Sequence, residues 1–387
     1  MNVCLISQEY PPESHFGGIG TYTHNVANGL SRLGHSVHVV TSTKLSPVSD
    51  SEGGIWVHRL RQRRFRPAEV SRLFYSAQVA REVLRIGCPF DIVQASEFRA
   101  EGYVLALMRR FPLVTRLATP SYLTKQLNET SSARRPLIDW ERAQVMRSEG
   151  IISPSKALAT TAAKSWRIAP SRIQMIPNCI DIGRVTRLGM NDDVPETLAH
   201  REFIVYFGRL EERKGVHILA KSLPPVLEKW RGIDMVFIGS DAGYQGESMR
   251  SYVRRSAGNL RERLLFFDNL PQEKLFPIVK RAKMAVFPSL WEAFGFVCVE
   301  AMALGCPVLA SSGSGFEEII LDGTSGYLVP PGNAEILSDK MIRILEDPEG
   351  RARVGAGART RSADFDVSRI IPDLVRYYET IRRRPLG

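Results

Sequence analysis

Apolar residues along this chain fall into short continuous runs, and each run is followed by a stretch in which they recur every three or four positions. Val3–Ile6 reads as a strand, and Tyr22, Val26, Leu30 and Leu33 then follow helical spacing up to Gly34. Val37–Val40, Ile92–Val93, Leu113–Val114 and Ile151–Ile152 mark further strands, with a helix carrying Tyr103, Leu105, Leu107 and Met108 among them. A second series starts at Phe203–Phe207 and continues through Val236–Gly239, Leu264–Phe267, Ala285–Phe287 and Val308–Ala310. Strands alternating with helices predict an α/β fold built on parallel, doubly wound sheets. Asn178–Arg201 breaks the rhythm with Asp181, Gly183, Gly189, Asn191, Asp192, Asp193 and Pro195, and reads as a linker between two domains. The expected division is residues 1–180 and 200–366, which suits a chain of 387 residues.

Two carboxylates interrupt the most apolar part of the second half. In Pro288-Ser-Leu-Trp-Glu-Ala-Phe-Gly-Phe-Val-Cys-Val-Glu300, Glu292 and Glu300 stand eight positions apart. An acid in such surroundings costs several kcal/mol unless it meets a partner. Phe296, Val297, Val299, Ala301, Met302 and Leu304 predict a buried helix closed by Gly305-Cys306-Pro307. Glu292 then falls in the loop before this helix and Glu300 in its second turn, about 10 Å apart at 1.5 Å per residue. A helix N-terminus between them is a seat for phosphate. One carboxylate for a sugar, one for a ribose and a helix end for a diphosphate describe a nucleotide sugar.

The spacing of the pair resembles the E-x7-E signature of retaining GT-B glycosyltransferases of glycosyltransferase family 4. Other stretches match that family in the same order: Gly17-Gly18-Ile-Gly20, Ile152-Ser-Pro-Ser-Lys-Ala157, Ile176-Pro-Asn-Cys-Ile-Asp181, Gly208-Arg-Leu-Glu-Glu-Arg-Lys-Gly215 and Gly323-Thr-Ser-Gly-Tyr-Leu-Val-Pro-Pro-Gly332. The resemblance implies the GT-B architecture, two Rossmann-like domains facing a cleft. The first would bind acceptor and the second the nucleotide sugar, with a last helix, about Val367–Arg383, crossing back onto the first.

It also implies roles. Arg209 and Lys214 would stabilise the departing diphosphate and, with Glu292, form the catalytic set. A departing diphosphate needs cations or a metal, and the chain has no Asp-x-Asp at a strand end, so metal-independent chemistry with no cofactor is expected. Glu300, Gly239, Asn269 and Leu270 would bind the nucleotide. Glu292, the amides of Phe294, Gly295 and Phe296, and the loop of Gly17 and Gly18 would bind the donor sugar. A dinucleotide-fingerprint reading of that loop fails, because the spacing is Gly-Gly-x-Gly and no acid ends the second strand at Thr41-Ser42. One position departs from the family. Val114-Thr-Arg-Leu-Ala-Thr-Pro-Ser-Tyr122 places Ala118 where a histidine is usual, with Arg116 and Thr119 nearby. The expected activity is retaining hexose transfer, with UDP-glucose as donor and a saccharide or lipid-linked hydroxyl as acceptor, in polysaccharide or glycoconjugate biosynthesis. A GT-B sugar-nucleotide epimerase is one alternative, and a catalytically weak nucleotide-sugar binder, which Ala118 makes more plausible, is another.

Composition changes this picture little: 44% hydrophobic and 24% charged residues are those of a soluble globular protein. Five cysteines without a Cys-x-x-Cys argue against a disulfide framework or zinc site and fit a reducing cytosol. The opening Met-Asn-Val-Cys-Leu-Ile lacks the pattern of a signal peptide, and the apolar stretch 284–310 is broken by Pro288, Glu292, Glu300 and Pro307. A cytoplasmic location, peripheral on the inner face of the plasma membrane, is expected. The net charge of +11 is densest in His58-Arg-Leu-Arg-Gln-Arg-Arg-Phe-Arg66. A solvated basic surface, an anionic-membrane contact and nucleic-acid binding compete here. The last would bring interleaved aromatics, and only Phe65 breaks the run, so no nucleic-acid partner is expected.

Overall fold

The structure is a computed structural model, and it describes residues 1–12, 17–45, 48–63, 65–127, 135–191 and 193–383. The chain divides into two compact units, Met1–Ile180 with Val367–Gly387, and Asp181–Asp366.

The first unit is built on strands β1 (Asn2–Ile6), β2 (Ser36–Thr43), β3 (Val48–Glu52), β4 (Ile55–Arg61), β5 (Ile92–Ser96), β6 (Leu113–Arg116), β7 (Gly150–Ser153) and β8 (Ile173–Met175). They form one sheet in the order β3-β4-β2-β1-β5-β6-β7-β8. All pairs are parallel except β3 with β4. Val3, Cys4, Leu5 and Ile6 are buried on both faces, which is why β1 reads as an unbroken apolar run. Helix α1 (Gly18–Arg32) buries Val26 and Leu30. The terminal helix Val367–Arg382 lies against it, so close that a Cβ on Gly29 would sit 2.5 Å from Ile371 Cγ1. Tyr378 at its inner face donates to Gln94 Oε1 at 2.7 Å.

The second unit carries β9 (Glu202–Phe207), β10 (Ile233–Ile238), β11 (Leu264–Phe267), β12 (Met284–Phe287), β13 (Val308–Ser311) and β14 (Tyr327–Val329), all parallel, in the order β11-β10-β9-β12-β13-β14. Strand order reverses between β1 and β5 in the first unit and between β9 and β12 in the second. Loops at the carboxyl ends of such neighbouring strands part in opposite directions and leave a crevice, the usual seat of a ligand in open α/β sheets.

Two sequence expectations change in detail. The polar stretch Asn178–Arg201 contains the helices Ile182–Leu188 and Glu196–Ala199, most of it within the second unit. Asp181 caps the first of these by accepting from Arg184 N at 2.8 Å, so its polarity is that of a helix start as much as of a linker. The basic run His58–Arg66 is not one surface. His58 and Arg59 belong to β4 and are buried, with Arg59 Nη2 donating to the Pro11 carbonyl at 3.1 Å, while Arg61, Arg63 and Arg66 are exposed. Side chains of β4 turn to the faces of the sheet, where His58 Nδ1 lies 3.5 Å from Glu82 Oε1 of the helix Ala68–Ile86, so charge along the sequence does not report a surface.

Candidate functional site

The glycine-flanked loop after β9 and the loop after β12 meet across the switch point of the second unit. Gly215 has φ +68, and a Cβ there would lie 1.8 Å from the Pro288 carbonyl oxygen. Only glycine permits this approach. Leu290 N donates to the Arg213 carbonyl at 2.9 Å, locking the loops together. Lys214 Nζ is thereby brought 2.5 Å from Glu292 Oε2. Arg213 Nη1 stands 4.0 Å from Glu292 Oε1, and Ser289 Oγ donates to Glu292 Oε2 at 3.4 Å. Burial alone would raise the Glu292 carboxyl, but Lys214 and Arg213 outweigh it and hold the group below its usual value. It is a carboxylate, and it orients the lysine beside it.

Arg209, in contrast, is exposed, with Nη2 3.3 Å from Glu211 Oε1. Arg213, four positions on, is the buried cation, 2.8 Å from the same Glu211 oxygen. Neither Arg213 nor Glu211 was singled out in the sequence. In Glu-Glu-Arg-Lys nothing but the fold tells which charges turn inward.

Gly295 starts the helix Phe296–Ala303 with φ +111, and a Cβ there would lie 2.3 Å from Phe316 Cε1. No acceptor for the amides of Gly295 and Phe296 is found among the described residues. The Phe294 ring is buried against Phe296 and Phe365, at centroid distances of 5.4 and 5.7 Å. Glu300 lies in the second turn. Its side chain is 7% exposed and has no hydrogen-bond partner among the described residues. Burial pushes its carboxyl up to about 7, against the pull of Arg184. A buried acid left unpaired in this way is a functional-site signature.

The loops after β10 and β11 complete this rim. Gly239 has φ +149, and its Cβ would lie 2.0 Å from the Gly208 carbonyl oxygen. Asn269 Oδ1 accepts from Ser240 N at 2.9 Å, with Leu270 next in the chain. The fold therefore brings Lys214, Glu292, Gly295 and Phe296 to the switch point, with Gly239 and Asn269 on neighbouring loops.

Gly17 and Gly18 belong to the first unit, where Gly17 caps α1 and a Cβ on it would lie 2.2 Å from Glu9 Oε2. Around the β1/β5 switch point of that unit stand three buried acids that the sequence reading passed over. Glu101 accepts from Gln8 N at 3.1 Å. Glu141 accepts from Arg99 N and Ser121 N, both at 2.9 Å. Glu97 accepts from Ala118 N through both oxygens, at 2.9 and 2.8 Å. Burial raises Glu97 and Glu101 to about 8 and Glu141 to about 7, with Glu141 adding to the rise at Glu97. Glu97 and Glu101 stand one and five residues past the end of β5, which was their only sequence signal, and Glu141, inside the helix Arg135–Arg147, had none. Arg116 does not stand in for the histidine that Ala118 replaces. It is buried, donates to Asn178 Oδ1 at 3.1 Å and to the Ile176 carbonyl at 2.9 Å, and covers the Tyr22 ring at 4.1 Å.

Residues 16–184 match the family model described as Glycosyltransferase Family 4, and residues 192–361 the one described as Glycosyl transferases group 1. The chain is 26% identical over 370 residues to an uncharacterized glycosyltransferase of Methanocaldococcus jannaschii, covering 90% of each. Its fold is similar to sucrose-phosphate synthase from Thermosynechococcus elongatus, with a TM-score of 0.80, 21% identity and coverage of 98% of each chain. It is also similar to HepE of Anabaena in complex with UDP-glucose, with a TM-score of 0.71, 20% identity and coverage of 98% of this chain and 100% of that one.

Proposed function

The chain belongs to glycosyltransferase family 4 and has the GT-B fold, and from that premise we propose that it is a retaining, metal-independent hexosyltransferase. The expected donor is UDP-glucose, the nucleotide sugar present in the HepE structure. The acceptor is a hydroxyl of a saccharide or a lipid-linked sugar. The second unit takes the nucleotide sugar and the first the acceptor.

One observation carries this reading: a buried Lys214–Glu292 pair and an unpartnered buried Glu300 at the two sides of one helix start. Glu300 would accept from the ribose hydroxyls. Glu292 would accept from a donor-sugar hydroxyl while holding Lys214 against the diphosphate. Arg209 has an exposed side chain that can swing onto a phosphate oxygen as a planar fork. The amides of Gly295 and Phe296 and the helix dipole add positive potential. In the reaction the bond from the sugar C1 to the diphosphate oxygen breaks. A bond from C1 to the acceptor oxygen forms on the same face, and the acceptor proton passes to the leaving phosphate. Lys214, Arg209 and the helix end stabilise the charge on that phosphate, so the step needs neither a separate base nor a metal.

A second reading rests on Ala118, whose side chain offers no polar contact to a sugar. On that reading the protein binds a nucleotide sugar with weak transfer, or epimerises it. Incubation with a panel of nucleotide sugars, with and without saccharide acceptors, separates these. Acceptor-dependent nucleotide release supports transfer, an isomerised donor supports epimerisation, and binding without turnover supports a binding protein.

A further inference from the structure

Arg72 is a cation without a counter-ion. It stands half-buried on helix α2 (Ala68–Ile86), with its Nη1 sealed from solvent. No hydrogen bond or ion pair of Arg72 is found among the described residues. Burial and the nearby Arg99 hold its guanidinium below the usual value, against a smaller pull from Glu69 and Glu141. A charge kept from water in this way costs stability unless something pairs with it. The packing of α2 does not ask for it, because Tyr75, Val79 and Val83 already supply the buried face. Arg99 is the second cation here. Helix α2 packs against the single turn Phe98–Ala100 that carries it, just past the end of β5. Arg99 has φ +64 and Ala100 φ +55, so two consecutive residues with side chains lie in the left-handed region. Such backbone persists only where its surroundings over-determine it, and it gathers at ligand clamps. The surroundings here are Glu141, whose Oε1 accepts from Arg99 N at 2.9 Å, and Glu101, whose Oε2 accepts from Gln8 N at 3.1 Å. The Arg99 side chain lies over the Phe98 ring, 5.2 Å from its centroid, and donates to Gln8 Oε1 at 2.9 Å. It therefore reaches from the end of β5 to the end of β1, across the switch point of the first unit, and it is exposed.

We propose that the acceptor carries an oxyanion, a phosphate or a carboxylate, and that Arg72 and Arg99 receive it in the first unit. Two guanidinium groups that repel one another are relieved by an anion between them, and each offers its oxygens a planar fork. The buried acids nearby do not cancel these cations. Glu97, Glu101 and Glu141 spend their oxygens on backbone amides, and burial keeps much of their charge off near neutral pH. Glu9 turns instead to the start of α1, against Gly17. A neutral saccharide would leave Arg72 unpaired, so the pair selects among acceptors. The inference rests on the proposed function only in taking the first unit as the acceptor side, and binding is read apart from transfer.

The test is isothermal titration of the full chain, saturated with UDP so that the nucleotide site is filled, with glucose 6-phosphate, glucuronate, glucose and glucosamine. At least one of the two anions should bind about tenfold or more tighter than glucose, and whichever binds more tightly names the oxyanion. Arg72→Gln and Arg99→Gln should each weaken that anion about tenfold and leave glucose and UDP where they were. Arg72→Lys should recover part of the loss, because a point charge remains without the fork. Thermal melting of Arg72→Gln should be unchanged or higher, since the variant removes an unpaired charge from a half-buried position. Failure of both anions to bind, equal binding of glucose, tighter binding of glucosamine, or anion binding undiminished in Arg72→Gln would overturn the inference. So would equal losses for glucose, anions and UDP beside a lower melting temperature, which would make Arg72 structural. Nucleotide release from UDP-glucose is read on the same samples. Release with neutral acceptors alone would keep the transferase and remove the anion site, while selective anion binding without any release would do the reverse.

Discussion

Lys214 Nζ lies 2.5 Å from Glu292 Oε2, and the two residues leave the sheet on opposite sides of the point where its strand order reverses. The pair is buried, so its two members constrain one another. Replacing Lys214 with Met leaves Glu292 with Arg213 at 4.0 Å as its nearest remaining cation. A buried charge deprived of its partner costs about 3–5 kcal/mol, and Arg213 offsets part of that. Transfer should fall by about 10²–10³, and the melting temperature should drop by several degrees. Arg209→Ala should lower transfer without moving the melting temperature, because that side chain is exposed. Calorimetry beside initial rates distinguishes the two, and full activity in either variant removes that residue from the catalytic set.

Glu300 predicts a pH dependence of nucleotide binding. Burial raises its carboxyl to about 7, and only the ionised form accepts from two hydroxyls. Affinity for UDP should therefore strengthen as pH rises through neutrality. UDP titrates in the same range, so the informative quantity is the difference from Glu300→Gln. That variant should bind more weakly above pH 7 and lose the part of the pH profile that belongs to the carboxyl. Isothermal titration at several pH values measures it, and superimposable profiles would sink the ribose assignment.

Gly215 and Gly323 have nearly the same φ, +68 and +73, in opposite surroundings. A Cβ at Gly215 would lie 1.8 Å from the Pro288 carbonyl, while nothing stands within 4 Å of one at Gly323. Gly323→Ala should cost about 1 kcal/mol from the strained φ alone. Gly215→Ala must also separate the two loops that hold Lys214 against Glu292, and should cost more than about 2 kcal/mol as well as nucleotide binding. Urea denaturation of both variants checks this. Equal stabilities would mean that the loop contact contributes nothing.

Much of this was legible in the sequence where side chains and their neighbours lie close along the chain. Val3–Ile6 and Phe203–Phe207 are continuous apolar runs because parallel strands are buried on both faces. Glu292 and Glu300 stand out because they share one short apolar segment. Contacts made across the fold were not legible. Arg213 and Lys214 are adjacent, yet which of them meets Glu292 most closely depends on how Gly215 seats against Pro288. His58 and Arg59 look like surface charge until the fold brings Glu82 to the one and the Pro11 carbonyl to the other. Glu97 and Glu141 are 44 residues apart, and only the packed fold brings both to the segment from Ala118 to Ser121, where a helix begins.

Those acids make the last prediction. Glu97 and Glu101 are raised to about 8 and Glu141 to about 7, chiefly by burial, whereas the unfolded chain titrates near the ordinary carboxyl value. The folded state thus binds their protons more tightly than the unfolded state. Each group's contribution is fully present below the unfolded pKa and is lost as pH rises through the folded one, so stability should decline between about pH 4.5 and about pH 8. Glu97→Gln keeps the volume and one acceptor for Ala118 N but carries no titrating proton. It also removes the charge that Glu141 opposes. Urea midpoints across this range should therefore fall less steeply for the variant than for the parent. Glu300 titrates in both proteins and cancels in the comparison. Parallel curves would show that Glu97 binds its proton no more tightly in the folded than in the unfolded chain, and that burial does not raise it.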